Sequence, residues 1–133
     1  MNFVWFDYES SGSRVNTDQV LEGSIVLTDD RFKILEKKEL RCRLKHNIVP
    51  SIGALLVNNI SVETLQNAPL SHYQFVLENH KWFENFSPAY FTGYNVQGFD
   101  IEFYRRMLFK NLLPNWYQTN TNGNKIHDLL PHI

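Results

Sequence analysis
Apolar and polar residues alternate from Asn2 to Glu9. Phe3, Trp5, Asp7 and Glu9 would share one side of an extended segment, and Val4, Phe6 and Tyr8 the other. The alternation predicts a strand over 2–9. Residues 19–28, QVLEGSIVLT, are rich in β-branched side chains and predict a second strand. Asp29 and Asp30 suit a turn, and 31–44 return as a third strand. There Leu40, Cys42 and Leu44 alternate with Glu39, Arg41 and Arg43 on a wet side. The first third of the chain therefore reads as an antiparallel meander.

The period then changes. PSIGALLVNN predicts a short helix, with Pro50 just before it and Asn58 and Asn59 at its end. Asn59 suits a helix C-cap, because Asn tolerates the left-handed region. Ser61 is placed to cap a second short helix over 61–65. From Ser71 to Phe86, Tyr73, Val76, Leu77, His80 and Phe83 recur at helical spacing. AYFTGYN (89–95) predicts a short buried strand ending at Gly93. GFDIEFYRRMLFKNLL predicts a helix with Phe99, Phe103 and Met107 on one stripe. QTNTNGN (118–124) reads as a loop, KIHD (125–128) as a last strand, and Asp128 as the cap of a helix beginning near Pro131. Antiparallel strands followed by α/β units predict an α/β fold, a mixed sheet with helices packed on it.

Composition narrows the function classes. A chain of 133 residues makes one domain, 1–133. A net charge of −1 gives no global field that would attract nucleic acid. The single cysteine, Cys42, excludes an internal disulfide and suits a reducing cytoplasm. With no leader-like start and no apolar run of membrane-spanning length, the expected setting is cytoplasmic, off the membrane, and the expected state a monomer.

Candidate chemistry starts at the end of the first strand. Asp7 and Glu9 fall on the same side, about 7 Å apart along the strand. Asp100 follows the strand end at Gly93, where α/β sheets place ligands. Three hard oxygen donors without a Cys/His cluster favour Mg2+ or Mn2+ over Zn2+. Two such ions side by side activate a water and stabilise the leaving oxygen in phosphodiester cleavage. A lone D-x-E at a strand end is most often an ordinary exposed pair. What singles this one out is its company: Ser10, Ser11 and Gly12 directly after it, and a separate G-Y-N-x-x-x-F-D.

Those residues carry a resemblance to a known family. FVWFDYESSG, VPSIGALLVNNIS, TGYNVQGFDIEFYRRMLFKNLL and KIHDLL resemble, in order, four segments of the bacterial exonuclease I family, whose forms are D-Y-E-T/S-x-G, L-P-x-P-x-A-L-L-V-T-G-I-T, G-Y-N-x-x-x-F-D and W-D-L-L. That family belongs to the DEDD (DnaQ-like) 3′→5′ exonucleases. The first motif is shared by many DEDD enzymes; the A-L-L-V segment with the G-Y-N form is specific to exonuclease I.

The resemblance implies a ribonuclease-H-like fold and metal-dependent 3′→5′ degradation of single-stranded DNA from a free 3′ end, releasing 5′-mononucleotides. It implies that Asp7, Glu9 and Asp100 are the catalytic metal ligands, for two Mg2+ ions with Mn2+ as a substitute, and that Asp7 bridges both. It places Tyr8, Ser10 and Gly12 beside the terminal nucleotide, Leu56, Asn59 and Ile60 against its base and sugar, and Asn95 and Phe99 near the scissile phosphate. Ile52 replaces the family's second proline, and Asn59 stands where the family has glycine. The third motif, a helix with His-x4-Asp or Tyr-x3-Asp that supplies the general base and a fourth ligand, does not occur after Asp100. The expectation is thus a truncated N-terminal portion of an exonuclease domain, impaired as a nuclease, with Val4, Phe6 and Tyr90 partly uncovered. Alternatives are another DEDD enzyme, of the proofreading or oligoribonuclease type, and a non-catalytic nucleic-acid or metal-binding module.

Overall fold
A computed structural model describes residues 1–114, 119 and 123–130. The elements are β1 (Asn2–Ser10), β2 (Val20–Thr28), β3 (Ile34–Arg41), α1 (Ile52–Asn58), α2 (Val62–Gln66), α3 (His72–Phe86), β4 (Ala89–Gly93), α4 (Asp100–Lys110) and β5 (Lys125–Asp128). The sheet order is β3-β2-β1-β4-β5, antiparallel among the first three strands and parallel from β1 through β4 to β5. This is the mixed sheet that the pattern predicts. The predicted loop 118–124 and the helix expected beyond Asp128 fall mostly outside the described residues.

Local chemistry sets the helix starts. Ser51, Ser61 and Ser71 each accept a hydrogen bond from the backbone N–H three residues on, and Gln74 completes a capping box with Ser71. Asn59 ends α1 in the left-handed region at φ 54°. The third strand is shorter than predicted: Cys42 makes only an isolated bridge, to Leu70.

The core lies where α3 and α4 cover the Val4, Phe6 and Tyr8 side of β1. Phe83 of α3 is at its centre, 5.1 Å from Phe6, 4.9 Å from Phe91 and 4.7 Å from Tyr104 between ring centroids. Val4 and Phe6 are therefore buried, contrary to the expectation that they would be uncovered. The half-open aromatic group is on the other side of the sheet, where Phe3 stacks with Trp5 and Tyr90 and meets the exposed Phe32. The buried stripe of α3 also differs from the predicted one. It consists of Phe75, Val76, Asn79, His80 and Phe83, while Tyr73 and Leu77 face solvent. The polar Asn79 is inside because its side-chain oxygen accepts from the buried Tyr8 hydroxyl at 2.5 Å.

β1 outruns β4. Their pairing ends at Trp5 opposite Thr92, so the second half of β1 is laddered to β2 alone. That free flank is where the site forms.

Candidate active site
The free flank leaves backbone N–H groups of β1 without a strand partner, and one of them is taken by a carboxylate. Asp100, the first residue of α4, is 2% exposed, and its Oδ1 accepts from the Tyr8 N–H at 3.3 Å. Tyr8 lies between Asp7 and Glu9, so the structure brings the three predicted acids to one strand end.

Their electrostatics agree with that proximity. Burial, and next the Asp7 charge, push the Asp100 carboxyl up to about 7, with smaller contributions from Glu9 and Asp128; the Tyr8 N–H opposes them. Asp7 is also raised by desolvation. Glu9 is raised by desolvation, by Asp7 and by Glu22, its cross-strand partner on β2. Glu22 itself is engaged by Arg41 at 3.1 Å. Among the described residues no three acidic, histidine or cysteine side chains are gathered closely enough to hold an ion as they stand. The donor set, hard oxygens around a buried carboxylate with no cationic partner, fits a hard divalent ion.

The loop that presents Asp100 is held tightly. A Cβ on Gly93 would lie 2.9 Å from the Phe6 carbonyl oxygen and 2.6 Å from Val96 Cγ1, so only glycine lets this turn approach β1. Asn95 sits in the left-handed region at φ 55°. Asp128 of β5 accepts from the N–H groups of Gln97 and Leu130, both at 3.0 Å. Burial would raise its carboxyl, but the N–H groups of Leu130, Gln97, Asn95 and Val96 outweigh it and hold Asp128 below the usual range. Its role as a cap for the turn before Asp100 is one that sequence reasoning missed.

A groove of about 330 Å3 runs beside this strand end, between β1 and α1. Tyr8, Glu9, Ser10, Gly12 and Phe99, all expected at the site, line it; so do Ser51, Gly53, Ala54, Val57 and Asn58, which were not singled out. Asn58 Nδ2 donates to the Ser10 carbonyl at 3.1 Å and the Ser51 N–H to the Ser11 carbonyl at 2.8 Å, which pins α1 to the end of β1. Of the other predicted residues, Leu56 is exposed on α1, Asn59 caps it, and Asn95 belongs to the turn before Asp100. None of these three is among the lining residues. Ile60 is buried in a small core cluster with Leu21 and Leu65 and does not line the groove. The Tyr8 ring is in the core, and the Ser10 hydroxyl is spent on the Gly12 carbonyl. Arg105 pairs with Glu102, and His80 with Glu84 and Tyr104.

No protein-family model matches the chain. It is 28% identical over 131 residues to the exodeoxyribonuclease I of Buchnera aphidicola subsp. Schizaphis graminum, a match that covers 98% of this chain and 27% of that protein. Among solved structures, Escherichia coli exonuclease I in complex with a dT13 oligonucleotide superposes with a TM-score of 0.89 at 23% identity, over 96% of this chain and 28% of that one. The zinc-bound form of an Escherichia coli exonuclease I complex with single-stranded DNA gives 0.90, with the same identity and coverage. The chain thus spans about a quarter of the length of the curated relatives it matches. Sequence and fold together fit an N-terminal segment of exodeoxyribonuclease I, and the mixed sheet with its helices has the fold of the matching part of that enzyme.

Proposed function
We propose that this chain is the metal-binding segment of a 3′→5′ exodeoxyribonuclease that degrades single-stranded DNA to 5′-mononucleotides. The observation that carries the reading is the buried Asp100 carboxylate, anchored on the Tyr8 N–H between Asp7 and Glu9. In this reading Asp7, Glu9 and Asp100 hold divalent cations, with Mg2+ the working ion and Mn2+ a substitute. When bound, the ions supply Lewis-acid activation of water and charge stabilisation at the leaving oxygen.

The chain's own residues do the rest. The groove beside Glu9 receives the 3′ end of the strand. Gly53, Ala54 and Val57 offer it an apolar wall, and Phe99 offers a ring face, which suits any base. Asp128 and Gly93 hold the loop that sets Asp100 in place. DNA processing in the cytoplasm, as a monomer, is the setting we propose.

The general base of the family belongs to the third motif, so residues 1–133 by themselves are proposed to cut slowly; a missing base alone removes about 10²–10⁴-fold of rate. The second reading is a non-catalytic metal-binding module, which the same three acids at one strand end would also serve.

Calorimetric titration with Mn2+ tests the site, comparing wild type with Asp7→Asn and Asp100→Asn. Weak binding lost in both variants is expected; indistinguishable curves overturn the reading. Digestion of a 5′-labelled oligonucleotide, with and without an added segment carrying a His-x4-Asp helix, then separates nuclease from module. Metal binding without any added cleavage favours the module.

A further inference from the structure
A second charged site lies next to the turn that follows the first motif. A small cavity of about 50 Å3 has Val20, Phe103 and Met107 in its wall, and Lys45, His72, Arg106 and Lys110 also line it. They converge from three parts of the chain. Lys45 comes from the segment after β3, His72 from the first turn of α3, and Arg106 and Lys110 from α4 one turn apart. Like charges at that spacing repel each other.

Among the described residues none of the three cations, Lys45, Arg106 and Lys110, is held in an ion pair; the pairs are Arg41–Glu22, His80–Glu84 and Arg105–Glu102. One acid, Asp18, also lines the cavity; its Oδ1 accepts from the Ser11 hydroxyl and its Oδ2 from the Arg14 N–H, both at 2.9 Å, which turns its oxygens to the turn after β1, and three cations still outnumber its one charge. Lys110 is fixed in place by donating to the Asn16 carbonyl at 2.5 Å. The His72 Nδ1 is sealed from solvent and has no hydrogen-bond partner among the described residues.

The protonation states follow from the crowding. Burial, then Lys45 and Lys110, hold His72 down at about 4, so it is neutral near pH 7. Burial, then Lys45 and Arg106, lower Lys110. In a chain of net charge −1, the cluster is not the by-product of a basic surface. Lys45, Arg106 and Lys110, all exposed, line one small space, and two ammonium groups with a guanidinium fork suit a tetrahedral oxyanion, which offers several acceptors at once.

We infer that this cavity is a phosphate site, in which Lys45, Arg106 and Lys110 bind a phosphate group separate from the carboxylate cluster. The phosphate belongs either to the backbone of a bound strand or to a free phosphate monoester. Only the strand source rests on the proposed nuclease function.

The test is thermal unfolding of the 133-residue chain in EDTA, in 20 mM inorganic phosphate against chloride at matched ionic strength and pH. Wild type should gain about 3 °C in phosphate. Arg106→Gln/Lys110→Gln should lose that gain, and Arg106→Lys/Lys110→Arg, which keeps the charges, should retain most of it. Equal midpoints of wild type in the two salts, or an undiminished gain in the neutral double variant, overturns the inference.

A labelled single-stranded oligonucleotide, titrated in EDTA across salt concentrations, identifies the source. About tenfold weaker binding by the neutral double variant, with a salt slope lower by about 2, assigns the site to a strand phosphate. Unchanged strand affinity beside a lost phosphate gain assigns it to a free phosphate. Wild type that binds no oligonucleotide in EDTA yet gains from phosphate removes the strand source and leaves the phosphate site standing; the Mn2+ titration of the carboxylates decides the nuclease reading separately.

Discussion

The two halves of β1 have the same alternating pattern but different neighbours. From Phe3 to Trp5 the strand is laddered to β2 on one edge and β4 on the other, and its inward side chains are packed by α3 and α4. From Phe6 to Ser10 only β2 remains. The first half is stabilised by burial, and a carboxylate there would have nowhere to go. The second half has a free edge, and that edge admits Asp100 to the Tyr8 N–H. Acidic chemistry on a central strand therefore needs a neighbour that stops early, and Gly93 is where β4 stops.

The comparison is broken most severely from the packed half. Phe91 is fully buried opposite Val4 and is in ring contact with Phe6 and Phe83. Phe91→Ala should cost about 3–5 kcal/mol, read as a fall in the urea midpoint with little change in slope.

At the boundary between the halves, Gly93→Ala places a methyl against the Phe6 carbonyl and Val96. A loss of about 1–3 kcal/mol is expected. Metal affinity should fall with it, because the turn that carries Asp100 must shift. Unaltered Mn2+ affinity in a destabilised Gly93→Ala protein would separate the turn from the site.

In the open half the sign reverses. Asp100 has its folded-state pKa raised to about 7, against an ordinary value of 3.8. Between those values the folded chain binds more protons than the unfolded one, so this carboxyl removes stability as pH rises from about 4 through 7. Asp100→Asn should raise the metal-free stability by about 1–2 kcal/mol at pH 8 and make no difference near pH 3. It should also abolish the gain expected of wild type with Mn2+. Thermal melts at the two pH values, with and without the ion, check each part.

The smallest effect belongs to Asp7, which is exposed. Asp7→Asn should change metal-free stability by no more than about 0.5 kcal/mol. It should also lower the Asp100 pKa, because Asp7 is the largest charge acting on it. An NMR titration of the Asp100 carboxyl in both proteins reads that shift, and no shift would show that the two acids are not coupled.

Much of this arrangement was legible in the residues. The alternation over 2–9 gave the inward and outward sides of β1, and KIHD marked β5 at both ends. The stripe of α3 was misplaced because Tyr73 and Leu77 look as apolar as Phe75, and a rotation of one position along a helix is set by what it packs on. Here that is the sheet, with Asn79 turned in to meet Tyr8. For the candidate site, Asp7, Glu9 and Asp100 were nameable from their motifs, and the structure sets all three at one strand end. The groove wall was only partly so, since whether Asn58 or Asn59 turns inward depends on how α1 docks.

The sequence by itself determined the short-range features: strand faces from a period of two, helix starts from Ser51, Ser61 and Ser71, and the left-handed end of α1 from Asn59. Each rests on a pattern or hydrogen bond that closes within a few residues, so neighbouring letters contain the cause. The tertiary structure decided the rest. It brought Asp100 to a backbone N–H 92 residues earlier, set Asp128 on the turn that presents it, and gathered Lys45, Arg106 and Lys110 around one cavity. These meetings depend on the length and register of β4 against β1 and on where α4 is laid across the sheet, quantities fixed by the packing of the whole core.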